Sequence, residues 1–395
     1  MYTGKEYSLS IRVAHISDTH LGYARYAKLE PVTNRNQREV DVADAYERAV
    51  DAILEAEVDL VIHSGDVFDT IRPATHVVLH FLRQTQRITR ENIPYLGIAG
   101  NHETPRLRAT TASLMYAHLV RATFACGFEP EGGVVPVGDV RVGISLVPHG
   151  AVLDRELVVM PEPGADLNIL VTHGTVPGLT VKGHELGEID LPSHLISQNF
   201  DYVALGHYHF FHAHGTNAHY AGATERFGFG EVGSEPGFAL LTFDESGGTP
   251  EVEHVPVKAR PMIDLRRIDA SDMDASELTE AIVHHAAAAD LDGAIVRQRV
   301  AEVPVGAAGG IDRATLRDLK RRCLNYSLEI AEVGASEAPE PGDAGANFGS
   351  LQEEFEAFVG GKRERGDLGP AFADDFLRRG TGYLNRAGTG EEVGP

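Results

Sequence analysis

Short apolar runs alternate with longer stretches of helical period through the first half of the chain. Ile11-Arg12-Val13-Ala14-His15-Ile16 reads as a buried strand that ends at Ser17-Asp18. Val40, Ala43, Tyr46, Val50, Ile53 and Leu54 then recur at helical spacing. Val58-Asp59-Leu60-Val61-Ile62 is the next strand and runs into Ser64-Gly65-Asp66. A second helical stretch, about Ala74 to Ile88, leads to Tyr95-Leu96-Gly97-Ile98-Ala99 and then to Gly100-Asn101-His102. Asn168-Ile169-Leu170-Val171 before His173, and Tyr202-Val203-Ala204-Leu205 before Gly206, repeat the strand pattern. This order predicts an α/β fold with right-handed crossovers and a largely parallel inner sheet flanked by helices. In such sheets ligands sit beyond the carboxyl ends of the strands.

From about Pro261 the pattern changes, so the first domain is expected to cover residues 1–260. Met262–Ile268, Ala294–Val300 and Leu324–Ile330 read as strands, and Ser276–Ala289 and Arg313–Arg322 as helices. These make a small α+β domain over 261–333 with no ligand-type motif of its own. Residues 334–347, rich in Gly, Ala, Pro, Glu and Asp, read as a flexible linker. Two short amphipathic helices are expected in 348–395. The first opens on a capping box, Ser350 with Glu353, and carries Leu351, Phe355 and Phe358 on one face. The second carries Phe372, Phe376 and Leu377 and stops at Gly380. Helices this short are marginal alone, and the linker detaches them, so they read as a docking module for a partner.

Composition adds three limits. An apolar fraction of 43% with 24% charged residues suits a globular chain, and no apolar run approaches the roughly 18–20 residues that span a bilayer. The first residues, Met1 to Glu6, lack a signal-peptide pattern, and two distant cysteines, Cys126 and Cys323, form no disulfide framework. The expected location is therefore the cytoplasm. Asp and Glu outnumber Lys and Arg by 58 to 35, a net charge of −23, with only 6 Lys against 29 Arg. Low lysine with excess carboxylate is the habit of a halophilic protein, because at about 1 M salt the Debye length is only ~3 Å and the self-repulsion is screened. The same charge opposes nucleic-acid binding unless local Arg and bound metal supply the attraction.

Each predicted strand of the first domain runs into a chemical motif. In order these are Asp18-Thr19-His20, Gly65-Asp66, Gly100-Asn101-His102-Glu103, His173 and Gly206-His207-Tyr208-His209. The set Asp18, His20, Asp66, Asn101, His173, His207 and His209 mixes oxygen and imidazole donors without a thiolate, which suits Mn, Fe, Zn or Mg. Asp18 and His20, two apart in an extended segment, are expected to share one side of the chain, as are His207 and His209. A carboxylate such as Asp66 can bridge two cations about 3.5–4 Å apart, and such a pair polarises a phosphodiester and activates water. Gly22, Gly65, Gly100, Gly174 and Gly206 flank the donors and permit close backbone approach. His102 reads as the group that contacts the scissile phosphate or protonates the leaving oxygen. Of the remaining histidines, His15, His63, His80 and His118 read as core or surface residues, and His149, His184 with Glu185, His212 and His214 as weaker candidates.

On these residues the chain resembles the calcineurin-like metallophosphoesterase superfamily, and within it the nuclease branch. That SbcD-type branch is the nuclease subunit of the SbcCD and MRN complexes, which process DNA double-strand breaks with a zinc-hook, coiled-coil ATPase. The resemblance includes Tyr220-Ala221-Gly222-Ala223-Thr224-Glu225-Arg226-Phe227, which looks like the family's loop after the last ligand pair. It implies a metallophosphoesterase sandwich, a small DNA-capping domain at 261–333 and a C-terminal helix–loop–helix. One ion is then implied at Asp18, His20, Asp66 and His209, and the other at Asp66, Asn101, His173 and His207, with His102 in the place of the family's catalytic histidine. Two Mn2+ per subunit, or other divalent ions, are the implied cofactor. The implied activity is exonuclease and endonuclease cleavage of DNA by a homodimer. Phe355, Phe358, Phe372 and Phe376 are then the residues that meet the ATPase.

Two departures stand out. Related nucleases commonly place a histidine where this chain has Asp69, and the net charge is strongly acidic. Two other functions remain open on the sequence: a phosphatase or small phosphodiesterase on the same core, and a DNA-end scaffold with dispensable nuclease activity. Arg25, Arg106, Arg108 and Arg226, near the motifs, are candidates to contact DNA.

Overall fold

The side chains of strand β1 (Ile11–Ile16) alternate between two apolar cores, Ile11 and Val13 entering one and Ala14 and Ile16 the other. The computed structural model describes residues 10–105, 111–154, 156–177, 179–181, 184–185, 191–196, 199–244, 248–333, 359–360, 363, 372 and 374–381. After β1 come α1 (Gln37–Glu55), β2 (Leu60–His63), α2 (Thr75–Arg90), β3 (Tyr95–Ile98) and β4 (Thr123–Ala125). The four strands run parallel, side by side, as the crossover pattern predicts. Asn36 starts α1 by accepting the Arg38 N–H. Val42, Ala45, Tyr46, Ala49, Val50 and Ile53 then recur every three or four residues and lie buried against the sheet with Phe81 of α2.

The chain next builds a second sheet. Its parts are the hairpin β5 (Glu131–Val137) and β6 (Val140–Val147), the short helix α3 (His149–Val152) and β7 (Leu167–His173). A two-residue pair, β8 (Thr180–Val181) and β9 (His184–Glu185), precedes β10 (Tyr202–Gly206), β11 (His212–His214) and β12 (Ala218–Tyr220). The spatial order is β11-β12-β10-β7-β6-β5, parallel from β6 to β12 and antiparallel at both edges. Strands β13 (Gly237–Phe243) and β14 (Glu251–Pro256) return to the first sheet, antiparallel, beside β1.

The result is two facing six-stranded sheets, the sandwich that the resemblance implies, where the strand pattern alone pointed to a single inner sheet. The reason is that strands such as β2 and β7 are apolar on both faces, so each sheet must be covered twice. Ile62, Ile98 and Leu241 of the first sheet share one core with Ile144, Ile169 and Val171 of the second. Helices cover the outer face of the first sheet. The outer face of the second is covered by α3 and by loop residues Val176, Leu179, Leu191, Leu195 and Phe200.

A third, all-parallel sheet follows, made of β15 (Met262–Asp264), β16 (Ile268–Asp269), β17 (Ile295–Val303) and β18 (Asn325–Glu332), with β17 paired to the other three. The single strand expected over 262–268 is broken in two: β15 pairs with β17 as far as Asp264 opposite Arg297, and pairing resumes only at Ile268 opposite Val300, so one extra residue is looped out between them. Helices α4 (Ala275–Ala286) and α5 (Arg313–Arg322) bury Leu278, Ile282 and Leu319 on this sheet, in a core separate from the sandwich. Asp274 with Glu277 forms a capping box on α4, and Asp312 caps α5.

Charged groups tie this sheet to the sandwich. Arg260 grips Asp41 of α1 through two nitrogens and donates to the Gly293 carbonyl at 3.2 Å, while its backbone N–H donates to Glu225 at 2.9 Å. Arg38, buried beneath, lies 3.2 Å from both Asp41 and Glu225. Lys28 Nζ donates to the Cys323 carbonyl at 2.8 Å.

The chain divides into two compact units, Met1–Glu337 and Ala338–Pro395. In the second, residues 374–381 are helical, so the helix passes Gly380 rather than stopping there. Phe372 stacks on Phe376 with ring centroids 5.9 Å apart. The expected linker and the first tail helix with Phe355 and Phe358 lie outside the described residues. No helix among the described residues is long and apolar enough to cross a membrane.

Replacing Arg38 by Ala should leave the buried Glu225 carboxylate without its guanidinium partner and Asp41 with that of Arg260 alone. The expected loss is about 3–5 kcal/mol of unfolding free energy, read from the denaturant midpoint. A shift under about 1 kcal/mol would mean that solvent reaches these groups.

Candidate metal centre

The five motifs converge at the carboxyl ends of strands from both sheets. Asp18 and His20 follow β1, Asp66 follows β2, Asn101 and His102 follow β3, His173 ends β7, and His207 and His209 follow β10. Four of the donors leave extended backbone, among them Asp18, His20 and His207, for which it was expected. Asp18, His20, Asp66 and His207 have φ of 50°, 42°, 53° and 97°, the left-handed region that side-chain-bearing residues rarely adopt. Each such residue costs on the order of 1–3 kcal/mol and needs surrounding bonds to hold it. Asp18 N–H donates to the Gly65 carbonyl at 3.1 Å and His20 N–H to the Asp66 carbonyl at 3.0 Å. The His207 N–H donates to the Asp18 carboxylate at 3.1 Å, joining the ends of the two sheets.

The glycines serve this crowding. Gly65 has φ +97°, and a Cβ there would lie 2.5 Å from His173 Nδ1. A Cβ on Gly206 would lie 2.1 Å from the Ser64 carbonyl oxygen and one on Gly100 2.2 Å from Asp66 Oδ1. At these positions the close approach is to the donors themselves.

Two donor groups form, each with its atoms within 4.8 Å of one another: Asp18, His20 and His209, and Asp66, His173 and His207. Asp66 stands between them, since its Oδ2 is 3.7 Å from His20 Nε2 and 3.3 Å from His173 Nε2. Asn101 Oδ1 is 3.0 Å from His173 Nε2, on the side of the second group. His207 and His209 thus serve different groups instead of sharing one side. A third grouping, His20 with Asp69 and His102, shares His20 with the first. The site brings together all seven expected donors and His102. Oxygen and imidazole atoms aimed at adjoining points, with both cysteines elsewhere, fit divalent cations.

The electrostatics favour positive charge. Burial works against an ionised Asp66, yet the His173 and His20 imidazoles hold its carboxyl well below the usual carboxylate range. Burial alone would lower His173, but Asp66 and Asp18 push it up to about 9. His209 is likewise lowered by burial and raised by Glu231 and Asp18, to about 9. His207, buried beside the charge of His173, is pushed down to about 3.

Several supporting residues escaped the sequence reading. His173 Nδ1 donates to the Ser64 carbonyl at 2.7 Å. Glu103, deeply buried, accepts the N–H groups of Phe68 at 2.6 Å and Gly100 at 2.8 Å, which pins the Asp66 and Asn101 loops together. Burial and the charge of Asp66 push its carboxyl up to about 8. Tyr220 donates to the Gly174 carbonyl at 2.9 Å and accepts the Val176 N–H at 2.9 Å, fixing the turn after His173. Glu231 contacts His209 Nδ1 at 2.8 Å. Only Glu103 carried a local signal, as the acid closing its motif.

Other histidines fall into place. His15 is buried between Tyr202 and Ser64, His63 lies beneath Thr19, and His80 meets the Ala43 carbonyl. His118 is exposed, His212 and His214 lie on the edge strand β11, and His149 on α3 lies outside the three donor groups. Of the arginines, Arg226 is spent on the carbonyls of Ser234 and Arg260, whereas Arg25 is exposed. Arg106 and Arg108 lie outside the described residues, as do the side chains of His184 and Glu185.

A cation needs neutral imidazole, and His173 and His209 hold their protons up to about 9 in the metal-free chain. Binding near neutral pH therefore expels protons, and affinity rises with pH until about 9. Calorimetric Mn2+ titrations in two buffers of different ionisation heat should give different apparent enthalpies. Identical enthalpies would refute this charge state. Gly206→Ala should abolish binding in the same assay, because its Cβ meets both Ser64 and His173.

The family model described as calcineurin-like phosphoesterase matches residues 11–211. The DNA double-strand break repair protein Mre11 of Methanopyrus kandleri is 29% identical over 270 residues, 63% of this chain and 57% of that one. Its namesake from Thermoplasma acidophilum is 29% identical over 263 residues, 63% and 66% of the two chains. The one from Haloferax volcanii is 34% identical over 221 residues, 54% and 46%. The chain thus spans about half to two thirds of the length of these curated relatives. The matched residues run from β1 through β10 and hold every donor named above. The chain belongs to the calcineurin-like phosphoesterase family.

Proposed function

We propose that this protein is a metal-dependent DNA nuclease that hydrolyses phosphodiesters at double-strand breaks. The observation that carries the reading is the convergence of two donor groups on Asp66, in a chain similar to relatives named for double-strand break repair. In this reading Asp18, His20, Asp66 and His209 hold one Mn2+, and Asp66, Asn101, His173 and His207 hold a second. When bound, the two cations neutralise and polarise the phosphodiester and favour a nucleophilic water.

The protein's own part lies with His102. Its Nδ1 donates to the Asp69 carbonyl at 2.8 Å, which leaves Nε2 of a half-exposed ring to face the substrate. A protonated Nε2 bonds the scissile phosphate and hands its proton to the leaving oxygen. The backbone of Asp69 makes this contact, so it survives the change from the family's histidine. The Asp69 carboxylate, 3.5 Å from His20 Nδ1, adds negative charge beside the first donor group.

Three features support the assembly. The helix α5 places Arg313, Arg317, Lys320, Arg321 and Arg322 at exposed positions in a chain of net charge −23, a local attraction for a DNA backbone. Leu79 on α2, with Tyr116 and Leu119 on the 3₁₀ segment Ser113–Val120, is exposed and would be covered in a homodimer. The exposed, stacked Phe372 and Phe376 suit docking on the coiled coil of a zinc-hook ATPase.

The test is cleavage of a labelled linear duplex and a single strand with manganese, magnesium or EDTA. Cutting should require manganese, and His102→Ala should lose about 10²–10⁴-fold of it while keeping both ions. Cleavage of nucleotides without cleavage of DNA would replace this reading by a phosphatase. No cleavage, despite two bound ions, would favour a DNA-end scaffold. Deletion from Gly334 onward should abolish ATPase association and leave manganese-dependent cutting intact; tight binding by the truncated chain would refute docking through the tail.

A further inference from the structure

The second ring nitrogens of the donor imidazoles are not held alike. His173 Nδ1 meets a neutral backbone carbonyl, that of Ser64, at 2.7 Å. His209 Nδ1 meets a carboxylate, Glu231 Oε1, at 2.8 Å. Glu231 is itself fixed, because its Oε2 accepts the Phe227 N–H at 2.7 Å. The Phe227 ring stands edge-on to His20 and His209, with centroids 4.7 and 5.3 Å away. The same loop is seated on the third sheet. Phe229 and Val232 pack against Met262, Ile295 and Leu324, and the Arg297 guanidinium lies over the Phe229 ring at 4.7 Å.

We infer that Glu231 is the positioning residue of His209, and that the loop 227–232 makes the first cation point depend on the seat of the third sheet. The inference rests on the assignment of His209 as a ligand in the reading above. A carboxylate on Nδ1 fixes the tautomer that leaves Nε2 free to bind, holds the ring plane, and makes Nε2 a stronger donor than a carbonyl partner does. The first point is therefore tuned by a full negative charge on His209, where His173 of the second meets a neutral carbonyl. Glu231 lies 22 residues beyond His209 and carries no motif, so only the folded loop brings the two together.

The test is titration of the full-length chain with Mn2+, counting free ion by electron paramagnetic resonance. The unaltered chain should bind two equivalents. Glu231→Ala should weaken one of them about 10–100-fold and leave the other unchanged. Glu231→Gln keeps an oxygen for the Nδ1–H but loses the charge, so its loss should be smaller, which separates positioning from misfolding. Phe229→Ala touches neither ligand nor carboxylate and should weaken the same single equivalent. Two equivalents of unaltered affinity in Glu231→Ala would overturn the positioning role. Unaltered binding in Phe229→Ala would overturn the link to the third sheet. Failure of the unaltered chain to bind Mn2+ would remove the ligand assignment itself, and this inference with it.

Discussion

The ends of two β-sheets can share one site only where no side chain stands between them. Here that condition falls on Gly206, whose absent Cβ would collide with the Ser64 carbonyl and with His173 Nδ1. The contact allows the His207 N–H to reach Asp18 across the sandwich, so donors from β1, β2 and β3 meet donors from β7 and β10. Loss of that approach would split both donor groups, since each draws donors from the two sheets, while leaving the sheets themselves intact. Left-handed backbone at Asp18, His20, Asp66 and His207 is the local consequence of turning strand ends inward over so short a distance.

Packing of this kind concentrates charge. Asp18 and Asp66 are both buried within one strand-end cluster, among His20, His173 and His207. Carboxylates so placed are unfavourable alone and become favourable with positive charge beside them. In the metal-free chain protonated imidazoles supply it, as the opposite displacements of Asp66 and His173 attest. Cations take over that role when bound. Under the proposed function, the same opposition lets an acidic protein draw a phosphodiester to its site.

The third sheet has its own core yet is tied to the site by short routes. Arg260 binds Asp41 and the backbone of Gly293, while Phe229 rests on Met262 and Ile295. Glu225 and Phe227, in the segment 220–227, stand at the junction of α1, the His209 loop and that sheet. The segment is thus an anchor between layers, and Arg226 within it is engaged by carbonyls.

Local periodicity was enough to define β1 to β3, α1, α2, β7, β10 and the elements of the third sheet, but not β4 to β6 or β11 to β14. Alternation at β1 and the three- and four-residue spacing of α1 follow from which faces must be buried, and both lie within a few residues of chain. The donor types and their order after apolar runs were equally legible, because each motif is contiguous. Two facing sheets came only through the resemblance of the motifs and not from periodicity, since a run such as Leu60-Val61-Ile62 has the same appearance in any sheet covered on both faces. Neither were the left-handed donors, whose φ angles are imposed by hydrogen bonds to a neighbouring loop. The Arg38–Glu225 pair spans 187 residues, and the Glu231–His209 pair crosses a loop without periodicity. The chain by itself determined which atoms could act; tertiary structure decided which of them meet, because contacts between distant segments are set by packing rather than by local pattern.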